Sequence, residues 1–80
     1  MKRITVQYFA ILREQAGRSE QALQTEACTS GELYAELAGK HGFTLAPAQL
    51  KVAVNDDFAR WDLALSDGDR VVFIPPVAGG

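Results

Sequence analysis

The sequence contains one cysteine and one histidine in 80 residues, and this scarcity limits the chemistry that the chain performs alone. A single cysteine forms no internal disulfide, and one cysteine with one histidine is too few for a zinc site, so we expect no metal. An unpaired cysteine is also typical of the reducing cytoplasm, which is the expected location. Apolar runs of about 20 residues, the length of a membrane span, are missing, so we expect no membrane partner.

Basic residues are also too few for a protein that grips phosphate backbones. Ten acidic and eight basic residues leave a net charge of −2, so nucleic acid is not an expected partner. The motifs GxxxxGK[ST], HExxH and GxSxG, which mark phosphate loops, zinc proteases and serine hydrolases, are missing. A chain of this length seldom encloses a catalytic pocket as well as a core. We therefore expect any chemistry to require a partner protein.

The apolar pattern predicts several short strands. Residues 4–9 predict a first strand, because their side chains alternate between apolar and polar until Phe9, which places Ile4, Val6 and Tyr8 on a buried face. Further strands are expected at 21–25, 51–54 and 70–74, with a short pairing segment at 58–60. Turn residues separate these segments, because Asn, Asp and Gly tolerate the backbone angles that turns need.

Two helices are expected between the strands. Residues 10–16 predict a helix of one or two turns that ends at Gly17. A longer helix is expected from about Ser30 to Lys40, since Thr29 and Glu32 match a capping box and Gly42 follows its end. The order of elements predicts an α+β fold of the ubiquitin-like, β-grasp kind. In this fold a mixed sheet of four to five strands is crossed by one main helix. We expect one domain over 1–80, with 75–80 as a flexible, protruding tail.

The last predicted strand is apolar on both faces. Alternation places Val71 and Phe73 on one face and Val72 and Ile74 on the other, where Phe9 would also point. A sheet covered by one helix has a second face in water, which is usually polar. An apolar patch of Phe9, Val72 and Ile74 therefore predicts a docking surface, although the short helix or a loop would also account for it by covering it.

The residues after this strand predict an extended tail. Pro75 and Pro76 end the strand, because neither donates to a sheet ladder. Six residues of extended chain span roughly 20 Å, enough to enter a pocket on another protein. Gly79 and Gly80 allow the backbone to pass through a channel too narrow for a Cβ atom. An ordinary frayed terminus is the alternative.

The chain resembles a known family along most of its length. The run LSDGDRVVFIPPVAGG at 65–80 is similar to the C-terminus of the small, sulfur-carrying subunit of molybdopterin synthase, the MoaD family. The runs VQYFAILRE at 6–14 and VAVN at 52–55 resemble the same family, and the likeness is weakest over 18–50. The F-x-P-P-V-x-G-G ending is its most specific feature.

The resemblance implies a function for the terminal glycine. The Gly80 carboxylate would be adenylated by a separate ATP-using enzyme akin to ubiquitin-activating enzymes. Sulfide from a persulfide donor would then displace AMP, leaving a thiocarboxylate on Gly80. The chain itself would bind no cofactor and would not be an enzyme on its own, because ATP is consumed by the activating enzyme.

The resemblance also implies a partner that performs the transfer. The tail would deliver sulfur into the large catalytic subunit, in a heterotetramer of two small and two large subunits. There the sulfur would pass to cyclic pyranopterin monophosphate to form the molybdopterin dithiolene. Gly79 would provide clearance in a narrow channel. The residues expected to contact the partner are Phe9, Arg13, Val72, Ile74, Pro75, Pro76, Val77 and Ala78.

Other interpretations remain open at this point. Cys28 precedes a predicted helix and is a rival sulfur carrier as a persulfide, but free cysteines are usually buried, so we expect Cys28 in the core. His41 lies near the end of that helix, where its protonated form would be favoured by the helix dipole. The alternative functions are a sulfur carrier for thiazole synthesis, a ubiquitin-like protein modifier and a pure binding module.

Overall fold

The chain forms five strands, two α-helices and one short 3₁₀ turn in a computed structural model that describes residues 1–76. Each of the predicted elements is present, with boundaries within two residues of those expected. In chain order they are β1 Lys2–Tyr8, α1 Ala10–Ala16, β2 Glu20–Thr25, α2 Ser30–His41, the 3₁₀ turn Pro47–Gln49, β3 Lys51–Val54, β4 Asp57–Ala59 and β5 Arg70–Ile74.

The strands form one mixed sheet in the order β2-β1-β5-β3-β4. The two central strands, β1 and β5, run parallel, and every other neighbouring pair is antiparallel. Strands β1 and β2 form the expected expanded hairpin, with α1 in the connection. A five-stranded mixed sheet crossed by one long helix confirms the predicted β-grasp fold.

The core lies between one face of the sheet and α2. Ile4, Val6 and Tyr8 of β1 are buried, as their alternation predicted, and α2 contributes Leu33 and Leu37 to the same cluster. Because α2 covers this face, the side chains that alternate with the buried ones point to the opposite, outer face of the sheet. None of the helices within residues 1–76 has the length and apolar character needed to cross a membrane.

Local capping sets the ends of α2. The Thr29 hydroxyl accepts a hydrogen bond from the Glu32 backbone N–H at 3.1 Å, as predicted. The Glu32 carboxylate, however, accepts a hydrogen bond from the Cys28 backbone N–H at 3.4 Å and not from that of Thr29. The second hydrogen bond of the capping box is therefore made one residue earlier than expected. At the other end Gly42 has φ 72°, a left-handed conformation that favours glycine, and its N–H donates to the Ala38 carbonyl.

Five strand boundaries differ from the expected ones by one or two residues, and two of these differences affect the outer face of the sheet. Strand β1 ends at Tyr8, so Phe9 lies just outside it as the N-cap of α1. Strand β4 begins at Asp57, one residue early, because Asn55 and Asp56 form a two-residue turn with φ of 53° and 73°. Such a turn brings Val54 opposite Asp57 in the antiparallel pair β3–β4.

The prediction that Cys28 lies in the core is wrong. Cys28 is exposed, whereas the preceding Ala27 is 8% exposed and belongs to the core cluster. The physical reason is pairing with a distant segment: Thr29 bridges to Ala64, and the Leu65 N–H donates to the Cys28 carbonyl at 2.9 Å. This long-range pairing turns Ala27 inward and leaves Cys28 exposed to solvent.

Candidate functional site

The two central strands bring distant parts of the chain to one end of the sheet. Since β1 and β5 are parallel, with Tyr8 opposite Phe73, their carboxyl ends coincide. Phe9 and Ile74, the residues that follow these partners, therefore reach the same end. Phe9 keeps an extended backbone, with φ −127° and ψ 153°, so the alternation that buries Tyr8 turns Phe9 outward.

The outer face carries the apolar side chains that the sequence pattern predicted there. Val71 and Phe73 are buried, whereas Val72 and Ile74 are half-buried and alternate with them. Phe9 is 47% exposed. The predicted assignment of strand faces is confirmed, and within residues 1–76 neither the short helix nor a loop fully covers these side chains.

Phe58 also belongs to this surface, although the sequence pattern did not predict it. Phe58 is 74% exposed on β4, opposite Ala53, which in turn lies opposite Val72. A row of apolar residues thus crosses three strands. The two-residue turn at 55–56 could have predicted this position. The residues on either side of the turn pair in order, Val54 with Asp57 and Ala53 with Phe58, which places Phe58 on the outer face beside Ala53. We call this surface the outer patch; its residues are Phe9, Ala53, Phe58, Val72 and Ile74.

Arg13 lies one helical turn from the outer patch. Its backbone N–H donates to the Phe9 carbonyl at 3.4 Å, and its side chain is exposed. The ion pairs within residues 1–76 are Arg60–Asp62 and Arg70–Glu20, so the Arg13 guanidinium faces solvent there and does not pair with Glu14.

The end of β5 is held firmly where the tail begins. The Phe73 ring packs against Tyr34 and Trp61, with centroids 5.1 and 6.0 Å apart. Pro75 is buried and Pro76 is exposed beside an open groove of about 300 Å³. The groove is lined by Ala48, Gln49, Leu50, Lys51, Ile74, Pro75 and Pro76.

Val77, Ala78, Gly79 and Gly80 lie outside the described residues. The partner contacts expected of Val77 and Ala78, the clearance expected of Gly79 and the chemistry expected of Gly80 therefore remain predictions. The structure describes the surface around Pro76, the last described residue before them.

An aromatic cluster supports the same end of the sheet from the core side. The Tyr8 hydroxyl donates to Gln21 Oε1 at 2.9 Å, and burial raises the pKa of Tyr8 to about 12. Burial also raises the pKa of Tyr34, whose hydroxyl donates to the Leu45 carbonyl at 2.6 Å. Neither hydroxyl is therefore ionised near neutral pH, and both serve to hold the core in place.

The surroundings of His41 favour its neutral form, whereas the helix dipole alone was expected to favour the protonated form. Its ring packs against Tyr8 and Phe43, and Nε2 is buried without a hydrogen-bond partner among the described residues. Burial lowers the pKa of His41, and the nearby charges of Lys40 and Arg18 lower it further.

Metal-binding groups are not assembled in the described part of the chain. Residues 1–76 contain no cluster of three or more His, Cys, Asp or Glu side chains that could hold a metal ion. The candidate site is an exposed apolar surface beside the point where β5 leads into 75–80.

The family assignment follows from the match of residues 6–80 to the family model described as ThiS family. The chain belongs to the ThiS family. Two curated relatives, both described as "Molybdopterin synthase sulfur carrier subunit", come from Escherichia coli (strain K12) and Chlamydomonas reinhardtii. The Escherichia coli protein is 34% identical over 80 residues, and the match covers 96% of this chain and 99% of that protein. The Chlamydomonas reinhardtii protein is 36% identical over 81 residues, and the match covers 96% of this chain and 98% of that protein. The resemblance found in the sequence is thereby confirmed.

Solved structures of similar proteins share the fold of this ThiS family member. A Pyrococcus furiosus protein assigned as molybdopterin converting factor, subunit 1, has a TM-score of 0.79 at 30% identity, covering 96% of this chain and all of that one. SAMP1 from Haloferax volcanii has a TM-score of 0.78 at 26% identity, covering 98% and 99%. A complex of subunits 1 and 2 of the molybdopterin-converting factor from Helicobacter pylori contains a chain with a TM-score of 0.67 at 26% identity, covering 98% and 99%.

Proposed function

We propose that this ThiS family member is the sulfur carrier subunit of molybdopterin synthase, with the sulfur carried on Gly80. The observation that carries the proposal is the place of the outer patch, at the end of the sheet where β5 leads into residues 75–80. A protein that docks on the patch would receive the tail in its own interior. The description of two curated relatives as sulfur carrier subunits supports this assignment.

The first chemical step is activation of the Gly80 carboxylate, because a carboxylate is a poor electrophile. A separate adenylating enzyme joins a carboxylate oxygen of Gly80 to the α-phosphorus of ATP, and pyrophosphate leaves. Sulfide drawn from a persulfide donor, where a thiol reductant has cleaved the S–S bond, then attacks the acyl carbon. The bond from this carbon to the phosphate oxygen breaks, AMP leaves, and Gly80 carries a thiocarboxylate.

The second step takes place on the large subunit. The thiocarboxylate sulfur bonds to a carbon of cyclic pyranopterin monophosphate, and water then cleaves the bond from this sulfur to the Gly80 acyl carbon, so that Gly80 regains its carboxylate. Two such transfers supply the two sulfurs of one dithiolene, and the partner supplies the acid–base and anion-binding groups. The Helicobacter pylori complex of two subunits supports a large-subunit partner. We propose a heterotetramer of two small and two large subunits, formed in the cytoplasm.

The residues of this chain have positioning roles in the proposed complex. Phe9, Val72 and Ile74 contact the large subunit through the outer patch, and Arg13 lies at its border. Pro75 and Pro76 start the tail in an extended direction, since proline restricts φ to about −65°. Val77 and Ala78 are further proposed contacts with the large subunit, and Gly79 is proposed to give the tail clearance in a narrow channel.

Intact-mass spectrometry tests the carrier function. The protein is incubated with the adenylating enzyme, ATP and a persulfide donor, and a gain of ~16 Da, from replacement of one oxygen by sulfur, is expected. Addition of the large subunit and cyclic pyranopterin monophosphate should return the original mass and yield the dithiolene. Protein that never gains this mass, although the adenylating enzyme activates a control carrier, would refute the proposal.

A protein modifier is the second candidate, favoured by the similarity to the small archaeal modifier protein 1 (SAMP1) from Methanosarcina acetivorans, which has a TM-score of 0.79 at 25% identity. A modifier joins its terminal carboxylate to a lysine amine, whereas a carrier passes sulfur on and regains its carboxylate. Conjugates of higher mass after activation, with no sulfur in any pterin product, would favour the modifier. Sulfur delivered to a thiazole precursor and not to the pterin would favour a thiazole carrier.

A further inference from the structure

Charged residues are unevenly distributed over the sheet. The outward-pointing strand positions carry three basic residues, Arg3, Lys51 and Arg70, and one acidic residue, Glu20. The chain as a whole has ten acidic and eight basic residues. The outer face is therefore positive although the protein is net negative.

Two of these basic residues border the outer patch. Lys51 is exposed and lies directly opposite Ile74 in the last register pair of β3 and β5. Arg70 precedes Val72 by two residues, so both side chains point to the same face. The apolar side chains of β5 thus lie between a lysine at one end and an arginine at the other.

These basic groups are poorly neutralised within the described chain. The ion pairs within residues 1–76 do not include Lys51. Arg70 reaches Glu20 only at 3.7 Å, with both side chains about half exposed, and such surface pairs contribute little. The positive charge is consequently available to a partner.

We propose that the large synthase subunit presents carboxylates opposite Lys51 and Arg70, around an apolar surface that covers the outer patch. The proposal rests on the proposed function and specifies the chemistry of that partner. Covering the patch removes water from its border, and a charge left there without an opposite charge costs binding energy. The docking surface of the large subunit is thus acidic at its rim, whereas its tail pocket must be basic to hold an anion.

The same distribution argues for a protein partner over a phosphate polymer. A nucleic acid binds to a continuous basic surface, whereas here the two cations are separated by apolar side chains and the net charge is −2. An apolar centre with a charged rim is the usual arrangement of protein–protein interfaces.

Charge reversal at Lys51 tests the proposal. Binding of the large subunit from the same organism is measured by stopped-flow fluorescence for the wild type, Lys51→Gln and Lys51→Glu. We expect about threefold weaker binding for Lys51→Gln and about tenfold for Lys51→Glu, mainly through slower association. The difference should shrink at about 0.5 M salt, where surface charges are screened.

Lys40→Glu is the matched control, because it changes the net charge equally at an exposed position of α2, on the other side of the sheet. Its binding should stay within about twofold of the wild type. Melting temperatures of the variants exclude loss of fold.

The outcomes separate this proposal from the proposed function. Failure of the wild type to bind the large subunit would refute the proposed function itself. Normal wild-type binding with an unchanged Lys51→Glu variant, or an equal loss in Lys40→Glu, would overturn only the acidic rim. Binding of a poly(U) oligonucleotide that is lost in Lys51→Glu would also overturn it, by showing that the face recognises phosphates.

Discussion

Replacement of Phe58 is the sharpest test of the outer patch, because this side chain contributes little to the stability of the isolated protein. Phe58 is 74% exposed and does not belong to the buried core. Phe58→Ala should therefore leave the free energy of unfolding nearly unchanged. Any loss of partner binding would then report on docking and not on folding.

The expected loss follows from the exposed area of the ring. A phenylalanine side chain with about 200 Å² of surface, 74% exposed, offers about 150 Å² to a partner. At about 25 cal/mol per Å², covering this area yields about 4 kcal/mol at most. Alanine retains part of the contact, so Phe58→Ala should cost about 2 kcal/mol, or roughly 30-fold in Kd.

Calorimetric titration of the large subunit measures this loss. Phe58→Asp should weaken binding further, because it places an unpaired charge in the interface. Ala35→Asp is its control: it adds the same charge at an exposed position of α2, on the opposite side of the sheet, and should bind normally. A Phe58→Ala variant that binds as well as the wild type would refute the assignment of the outer patch as the docking surface.

Three further predictions concern the tail, the thiol and the histidine. Deletion of Gly80 moves the terminal carboxylate back by roughly 3.3 Å, so it should abolish adenylation without changing the melting temperature. Gly79→Ala should slow sulfur transfer, because the added Cβ atom would clash in a narrow channel. Full activity of the deletion variant would contradict the carrier role of Gly80. Cys28→Ala should retain sulfur transfer and stability, since the thiol is exposed, and a folded but inactive variant would place Cys28 in the chemistry. Because burial lowers the pKa of His41 below its ordinary 6.5, its neutral form contributes stability that is fully present above pH 6.5. This contribution is lost as the pH falls through the folded-state pKa, since the unfolded chain binds the proton more readily. His41→Phe should reduce this pH dependence in thermal denaturation, and an unchanged profile would contradict it.

The candidate site was partly predictable because some of its features depend on local alternation. Val72 and Ile74 point outward since their neighbours Val71 and Phe73 are buried, and period two leaves no other arrangement. Phe58 was missed because its face depends on the pairing of β4 with β3. Cys28 was placed wrongly for a similar reason, because its exposure depends on pairing with the distant segment at 63–65.

The sequence by itself determined the elements whose signals are local. Strand β5 ends where Pro75 removes a backbone donor, and α2 lies between the Thr29 cap and the left-handed Gly42. Only the tertiary structure decided which elements meet. The parallel pairing of β1 with β5 brings Phe9 beside Ile74, and burial among aromatic rings lowers the pKa of His41 despite its place at a helix end. Both depend on contacts between residues far apart in the chain, whose free energy comes from burying shared surface and is not encoded in any single segment.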